Sequence, residues 1–343
     1  MADRGAYRLA FGGLAAALLL ALATAGVFGW RYLETPMAVP TDGEWLEVPP
    51  GTPLTKVTAE LAARDVLTQP RLLSLYARLT GDATRIHAGE YQIAAGTSPR
   101  GLLRQLVGGQ VFLHQVTVIE GWRFEELLAA LRAHPAIEPS GLDGPAIMRA
   151  LGKEGLHPEG QFYPDTYRFP RGTGEVEILQ QAHGALEAAL AAAWTGRRPD
   201  VVLKTPHDAL ILASIVEKET ALAGERRRIS GVFHRRLERG MRLQTDPTVI
   251  YGLGSGFDGN LRRADLGRDT PYNTYTRAGL PPTPIALPGG DALAAALDPA
   301  PGPELYFVAT GRPDGSHFFS ATLAEHNDAV ARYLKRLRDP GEQ

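Results

Sequence analysis

Residues 207–222 constrain the fold of this chain more than any other stretch. Apolar side chains surround the helix they would form: Leu210, Ile211, Leu212, Ala213, Ile215, Val216, Ala221 and Leu222. A helix that is apolar on every side belongs in a core, so the rest of the fold has to be built around it. The same segment carries Glu217, Lys218 and Glu219. Carboxylates in such a place cost free energy unless they are paired or kept for a function. A half-buried glutamate with a raised pKa is also what a general acid needs near neutral pH.

A chain of 343 residues exceeds the usual single-domain size, which implies two domains plus an anchor. The net charge of -2 gives no electrostatic reason to expect nucleic acid as a partner. Cysteine is absent, which excludes disulfides and cysteine-ligated metal sites. The run from Leu9 to Trp30 holds no charge and is long enough to cross a bilayer core of roughly 30 Å. Arg4 and Arg8 precede it, while Arg31 and Glu34 follow, a small bias toward a cytoplasmic N-terminus. A cleaved signal peptide is the alternative. The length of the run and its Trp30-Arg31-Tyr32 ending argue against one.

This reading divides the chain into cytoplasmic residues 1–8, a transmembrane helix over 9–30 and a linker over 31–43. A small strand–helix–helix–strand block follows over 44–108, then a larger domain over 109–338 that holds the segment with Glu217 and Glu219. The linker assignment rests on four prolines between Thr35 and Pro50. In the block, Trp45–Val48 and Ala88–Ile93 read as strands, 54–64 and 70–79 as helices, and Ser98 caps a further helix through Leu106. Beyond it, 111–119 and 305–309 read as strands and 316–320 as strand-like. The spacing predicts helices over 123–133, 144–152, 175–194, 226–239 and 323–337. The stretch 243–290 shows no clear period; a loop that long is functional or disordered, and its aromatics favour function. The fold class is α+β.

Glu217 and Glu219 lie two positions apart, about 200° around a helix, so they cannot converge on one bond. Glu217 has the small neighbours Ala213, Thr220 and Ala221, which leave room for a ligand. Glu219 sits beside Leu212, Ile215 and Leu222, which suggests packing. On these grounds each glutamate is as readily structural as catalytic, with the geometry leaning to Glu217. Ser214 lies one residue too far from Lys218 for a Ser-x-x-Lys nucleophile. The nine histidines show no metal-binding spacing, so no metal is expected. Gly252-Leu-Gly-Ser-Gly256 reads as a flexible turn. Gln244-Thr-Asp-Pro247 and Pro271-Tyr-Asn-Thr-Tyr275 combine amides, hydroxyls, a carboxylate and flat rings, groups suited to sugars.

These motifs, with Met241–Gly252, Gly279-Leu-Pro-Pro282, Tyr306-Phe-Val308 and Glu159-Gly-Gln-Phe-Tyr-Pro-Asp-Thr-Tyr167, resemble the MltG (YceG-like) endolytic murein transglycosylases over about 45–335. The resemblance implies a single-pass inner-membrane protein, N-terminus in the cytoplasm, with a periplasmic lyase that cleaves nascent peptidoglycan within its strands and so limits their elongation. It implies that block 44–108 is LysM-like and contacts glycan, and that peptidoglycan strands are the partner. Peptidoglycan synthases or division machinery are further candidates, and no cofactor is implied. It maps the catalytic carboxyl onto Glu217. Gln244, Thr245, Asp246, Tyr272, Asn273, Tyr275 and Glu219 are then expected to contact substrate, with assistance from Asp246 or Glu219 left open. A hydrolytic muramidase and a non-catalytic wall-binding scaffold are the competing readings.

Overall fold

The computed structural model describes residues 3–338, with side chains from residue 12 onward. Two compact units result, Met1–His114 and Gln115–Gln343. Helix α1 (Asp3–Glu34) opens the first unit. Its stretch Gly12–Glu34 is long and apolar enough to cross a membrane, and the apolar window within it is left uncovered by the rest of the described protein, consistent with a single-pass anchor. Arg4 and Arg8, which bear on its orientation, lie outside the described side chains.

In the first unit, strand β1 (Glu44–Val48) pairs antiparallel with β2 (Gly89–Ile93). Between them run α2 (Leu54–Ala63) and α3 (Pro70–Thr80), and α4 (Pro99–Val107) follows. The alternation of β1 puts Leu46 and Val48 against Tyr91 and Ile93 in a core shared with Leu61, Leu73 and Leu102. Ser98 caps α4 as expected, its hydroxyl accepting from Gly101 N at 3.2 Å.

The expected linker is instead part of this core. Leu33 and Met37 are buried with the residues above. The backbone N–H groups of Met37 and Ala38 donate to Thr97 O at 2.9 Å and Val66 O at 3.2 Å. Prolines limit where a chain bends, but Met37 and Val39 still have apolar surface to bury. The stretch after α1 is therefore docked rather than free.

The second unit begins with β3 (His114–Thr117), shorter than the strand expected over 111–119, and continues with α5 (Phe124–Ala133) and β4 (Ile137–Glu138). Helix α6 (Gly144–Ala150), β5 (Thr166–Phe169), β6 (Thr173–Gly174) and α7 (Glu175–Thr195) follow. Then come α8 (Pro206–Glu219), α9 (Ala223–Glu238), α10 (Asp246–Leu253), α11 (Arg263–Gly267) and α12 (Gly290–Leu297). Strands β7 (Tyr306–Ala309) and β8 (His317–Ser320) pair antiparallel, and α13 (Leu323–Arg338) closes the unit. The other pairs are β3 with β5 and β4 with β6, so strands serve only as two-stranded patches on a helical body. The α+β class holds in that form.

Helix α8 is the centre of this unit. Every residue from Ala209 to Val216 is buried, against Leu186, Ile229, Phe233 and Leu293. Ser214 has a structural part here: its hydroxyl donates to Ile211 O at 2.7 Å and accepts from Ile285 N at 3.0 Å. Helix α12, a principal neighbour of α8, left no signal because Ala294, Ala295 and Ala296 give no periodic contrast. Helices α10 and α11 interrupt what reads as one long loop; in place of a flexible turn, Gly252 lies in the last turn of α10, which ends at Leu253, and Gly254–Gly256 forms a 3₁₀ turn.

The aromatic loop 158–170 is core: Phe162 and Phe169 are almost fully buried. Gly160 has φ +76, and a Cβ there would lie 2.3 Å from Pro284 Cβ and 3.2 Å from Ala286 O. Left-handed strain adds to a clash with a rigid ring and a backbone, so Gly160→Ala should lose about 2–4 kcal/mol. Thermal unfolding of the variant checks this; an unchanged Tm would show that the loop relaxes freely.

Candidate active site

Helix α8 starts where expected, with Thr205 and Asp208 forming a capping box. It stops earlier than expected. Thr220 is extended at φ -149 and ψ 135, and its hydroxyl accepts from Leu222 N at 3.0 Å. Glu219 is thus the last helical residue and sits at the chain reversal into α9. That break takes Thr220, Ala221 and Leu222 out of the helical surroundings expected for the two glutamates.

Glu217 and Glu219 are both half-buried residues, and the Glu217 side chain is 6% exposed. One oxygen lies 3.3 Å from the Arg226 guanidinium and the other accepts from Gly289 N at 2.9 Å. Burial raises its pKa, opposed by the Gly289 N–H and by Arg226, with the Glu120 charge adding to the rise. Arg226 also reaches Asp291 at 3.1 Å and Glu120 at 3.9 Å. Both oxygens of Glu217 are therefore held inside an ion-pair cluster that ties α8 to α9 and α12.

Glu219 opens onto a cavity of about 520 Å³, whose wall also includes Gln244, Thr245, Asp246 and Tyr275. Across from these motif residues the lining comes from Tyr306, Val308 and His317 of the β7–β8 hairpin and from His326 and Tyr333 of α13. Burial pushes the Glu219 carboxyl up to about 7, the hydrogen bond from Thr245 works against the rise, and the Asp246 charge adds to it. The negative end of the α8 dipole acts in the same direction as burial.

A chain of buried hydroxyls joins the two motifs. Thr274 Oγ1 accepts from Thr245 N at 3.1 Å, and Thr248 Oγ1 lies 2.9 Å from Thr274 Oγ1. Thr248 donates to Thr245 O at 2.8 Å, and Thr245 Oγ1 in turn donates to Glu219. The Tyr275 hydroxyl donates to Asp246 Oδ1 at 2.5 Å. Burial, and then that carboxylate, push the tyrosine well above its ordinary value. Gln244 holds a left-handed backbone at φ 53, one of two non-glycine residues with positive φ among those described. Such strain costs on the order of 1–3 kcal/mol and clusters at functional sites.

Arg236 supports this wall from below and was not singled out in the sequence. It is buried, and its guanidinium donates to Leu305 O at 2.7 Å, Leu243 O at 2.8 Å and Gln244 Oε1 at 3.3 Å. Nor were Thr248, Thr274 or His317 singled out; His317 Nδ1 lies 2.7 Å from Glu225 Oε2. Arginine and threonine at these spacings carry no signal without knowing which loops meet.

Two expected contacts lie elsewhere. Asn273 is buried and works as a staple: Nδ2 donates to Arg268 O at 2.7 Å and Leu266 O at 3.1 Å, while Oδ1 accepts from Tyr275 N at 2.8 Å. Both of its N–H donors are thus used within the protein, and the residue is 1% exposed. Tyr272 donates to or accepts from Thr283 Oγ1 at 2.9 Å and lines a different cavity, of about 650 Å³, with Tyr251, Arg123 and Glu159. Burial raises Glu159 to about 7 there, against the Phe124 N–H, which donates to it at 3.0 Å.

One carboxyl that is partly protonated near pH 7, beside a second carboxylate held by a tyrosine, can donate a proton to a leaving oxygen and take one back. The sequence model of the YceG-like family matches residues 46–332. An endolytic murein transglycosylase of Bacillus subtilis (strain 168) is 30% identical over 313 residues, which cover 84% of each chain. One of Streptococcus pneumoniae serotype 2 (strain D39 / NCTC 7466) is 24% identical over 355 residues, 92% of this chain and 64% of that one. A crystal structure of a YceG-like protein from Listeria monocytogenes superposes with a TM-score of 0.54 at 28% identity. It covers 84% of this chain and 99% of that one.

Proposed function

The chain belongs to the YceG-like family, and from that premise we propose that it is a membrane-anchored endolytic peptidoglycan transglycosylase whose general acid and base is Glu219. The observation that carries the choice of residue is that Glu219 shares a cavity wall with Gln244, Thr245, Asp246 and Tyr275 while its carboxyl is raised to about 7. The transglycosylase reading draws on the names of the relatives in Bacillus and Streptococcus. Unit 1 is read as a LysM-like module that contacts glycan, on the periplasmic side of the inner membrane.

Protonated Glu219 donates to the oxygen of a MurNAc–GlcNAc β-1,4 bond, and that bond breaks as positive charge develops at C1. The carboxylate left behind takes the proton of the MurNAc 6-hydroxyl, whose oxygen bonds to C1 and closes a 1,6-anhydro ring. The glutamate ends as it began, protonated, and no water is consumed. In this reading the negative charge of Asp246, on the same cavity wall, favours the oxocarbenium-like centre. Gln244 and Tyr275 orient the sugar through hydrogen bonds and ring contact.

A second reading keeps Glu217 as the acid. Its own raised pKa favours it, but both its oxygens are engaged with Arg226 and Gly289 N–H. Glycosidases that use water need two carboxyl groups with room between them. Asp246 and Glu219 would then serve a hydrolytic muramidase.

Digestion of purified peptidoglycan by the full chain, followed by mass analysis of the fragments, separates these chemistries. Anhydro-ended fragments are expected. Reducing ends in their place would make the protein a hydrolase, and binding without cleavage would make it a scaffold.

A further inference from the structure

The first unit has a second surface that the cleavage reaction does not use. Helix α3 buries Leu73, Ser74 and Ala77 and turns an apolar face outward. Leu75 is 52% exposed and Leu79 is 79% exposed, among the most exposed leucines outside α1. At 3.6 residues per turn Arg71, Leu72, Leu75, Arg78 and Leu79 share one arc of about 120°. Leucines flanked by arginines on one face are the pattern of a helix lying in a membrane interface.

The end of α1 lies beside this helix. The Tyr32 hydroxyl donates at 2.8 Å to the carbonyl of Gln69, the residue that caps α3. Glu34 pairs with Arg100 at the start of α4 at 2.5 Å. Between α3 and α4 lies a groove of about 380 Å³ lined by Tyr76, Asp82, Arg85, Arg100 and Arg104, in which Arg85 pairs with Asp82 at 3.3 Å. The Arg100 guanidinium stands 5.4 Å from the Tyr76 ring, and its Nε is buried without a partner. From Gln69 to Gly108 the chain carries five arginines against two carboxylates, Asp82 and Glu90. The excess of positive charge is thus concentrated at the exit of the span.

We propose that unit 1 rests on the bilayer surface, with Leu75 and Leu79 of α3 inserted at the headgroup boundary and the arginines of the α3–α4 groove taking anionic lipid phosphates. This rests on reading α1 as a membrane span. Trp30 and Tyr32 mark the interfacial end of that span, and the hydrogen bond to Gln69 holds the start of α3 at the same depth. Arginine pairs with phosphate oxygens through two N–H groups at once, which suits it to this ligand.

Because the chain has no cysteine, single cysteines can carry a nitroxide at Leu20→Cys in the span, Leu79→Cys on α3 and Glu47→Cys on the β1 face. The full chain is placed in vesicles of phosphatidylcholine with phosphatidylglycerol, and each label is tested for collision with oxygen and with a water-soluble nickel chelate. The Leu20 label and the Leu79 label are expected to collide more with oxygen, and the Glu47 label more with nickel. Adding Arg85→Glu and Arg104→Glu, or omitting phosphatidylglycerol, is expected to shift the Leu79 label toward nickel. A Leu79 label that behaves like Glu47 while Leu20 reads lipid would overturn the surface contact and leave the anchor standing. A Leu20 label in water would overturn the anchor and this inference together. A Leu79 label that reads lipid equally without phosphatidylglycerol would overturn the assignment of the arginines to anionic headgroups.

Discussion

Glu219→Gln will lower kcat for glycan cleavage by about 10³-fold, the size expected for loss of a positioned general acid. Glutamine keeps the size of the side chain and can still accept from Thr245 Oγ1, so the cavity should survive. The same change will raise Tm at pH 8 and leave it nearly unaltered at pH 5. The sign follows from linkage. The folded pKa of about 7 exceeds the ordinary 4.5, so the native state holds a proton that the unfolded chain releases. The contribution to stability is full below about 4.5 and is lost as pH climbs through about 7. Glutamine has no such loss, and its advantage appears only at the higher pH. In the wild type, catalysis that begins from the protonated acid should fall as pH rises past about 7. By contrast, Glu217→Gln should keep activity within about tenfold and cost about 1–2 kcal/mol, since it weakens the Arg226 cluster. Purified variants assayed on peptidoglycan, with unfolding followed at both pH values, decide the matter. Full activity of Glu219→Gln beside a dead Glu217→Gln would return the acid role to Glu217.

Arg236→Met is expected to have the second large effect, on stability and activity together. The guanidinium is buried, and burial holds its pKa below the usual range. Methionine would fill much of the volume but leave the carbonyls of Leu243 and Leu305 without their donor. Each such group costs about 1–3 kcal/mol when left unsatisfied. A loss of about 3 kcal/mol corresponds to roughly 6–12 °C in Tm for a unit of this size. Arg236 also donates to the side chain of Gln244, the strained residue in the cavity wall. Cleavage should therefore weaken even well below the melting point. Arg236→Lys, which has no planar fork, should recover little of either. A Tm unchanged by Arg236→Met would mean that water replaces the guanidinium at no cost.

Much of the scaffold was legible because it depends on composition that repeats. The all-round apolar character of 209–216 implied burial, and each of those residues is buried. The alternation of Trp45–Val48 implied a half-buried strand, and β1 follows it. The site was legible as a set of chemical types, less well as directions. Gln244, Thr245, Asp246 and Tyr275 do meet around one cavity, as their sugar-binding character suggested. Asn273 and Tyr272 come from the same motif but point elsewhere, because a loop has no period from which facing can be read. The two glutamates show the same limit more sharply. The helical wheel places Leu222 beside Glu219 only if the helix continues that far, and it ends at Glu219. Thr220 is β-branched and leaves the helix readily, yet nothing local compels the turn at that residue. The docked segment after α1 escaped for a similar reason: prolines suggest a tether, while the burial of Leu33 and Met37 depends on partners far along the chain.

That docking has a mechanical consequence. Taking α1 as the anchor, its uncharged run Leu9–Trp30 has 22 residues, about 33 Å of helix against a hydrocarbon core of roughly 30 Å. A helix longer than the bilayer is thick relieves the mismatch by leaning. With Leu33 and Met37 seated in its core, unit 1 has no swivel and must lean with the helix. The thickness of the surrounding lipid then sets the attitude of the first unit, as the rake of a mast sets whatever is bolted to its head.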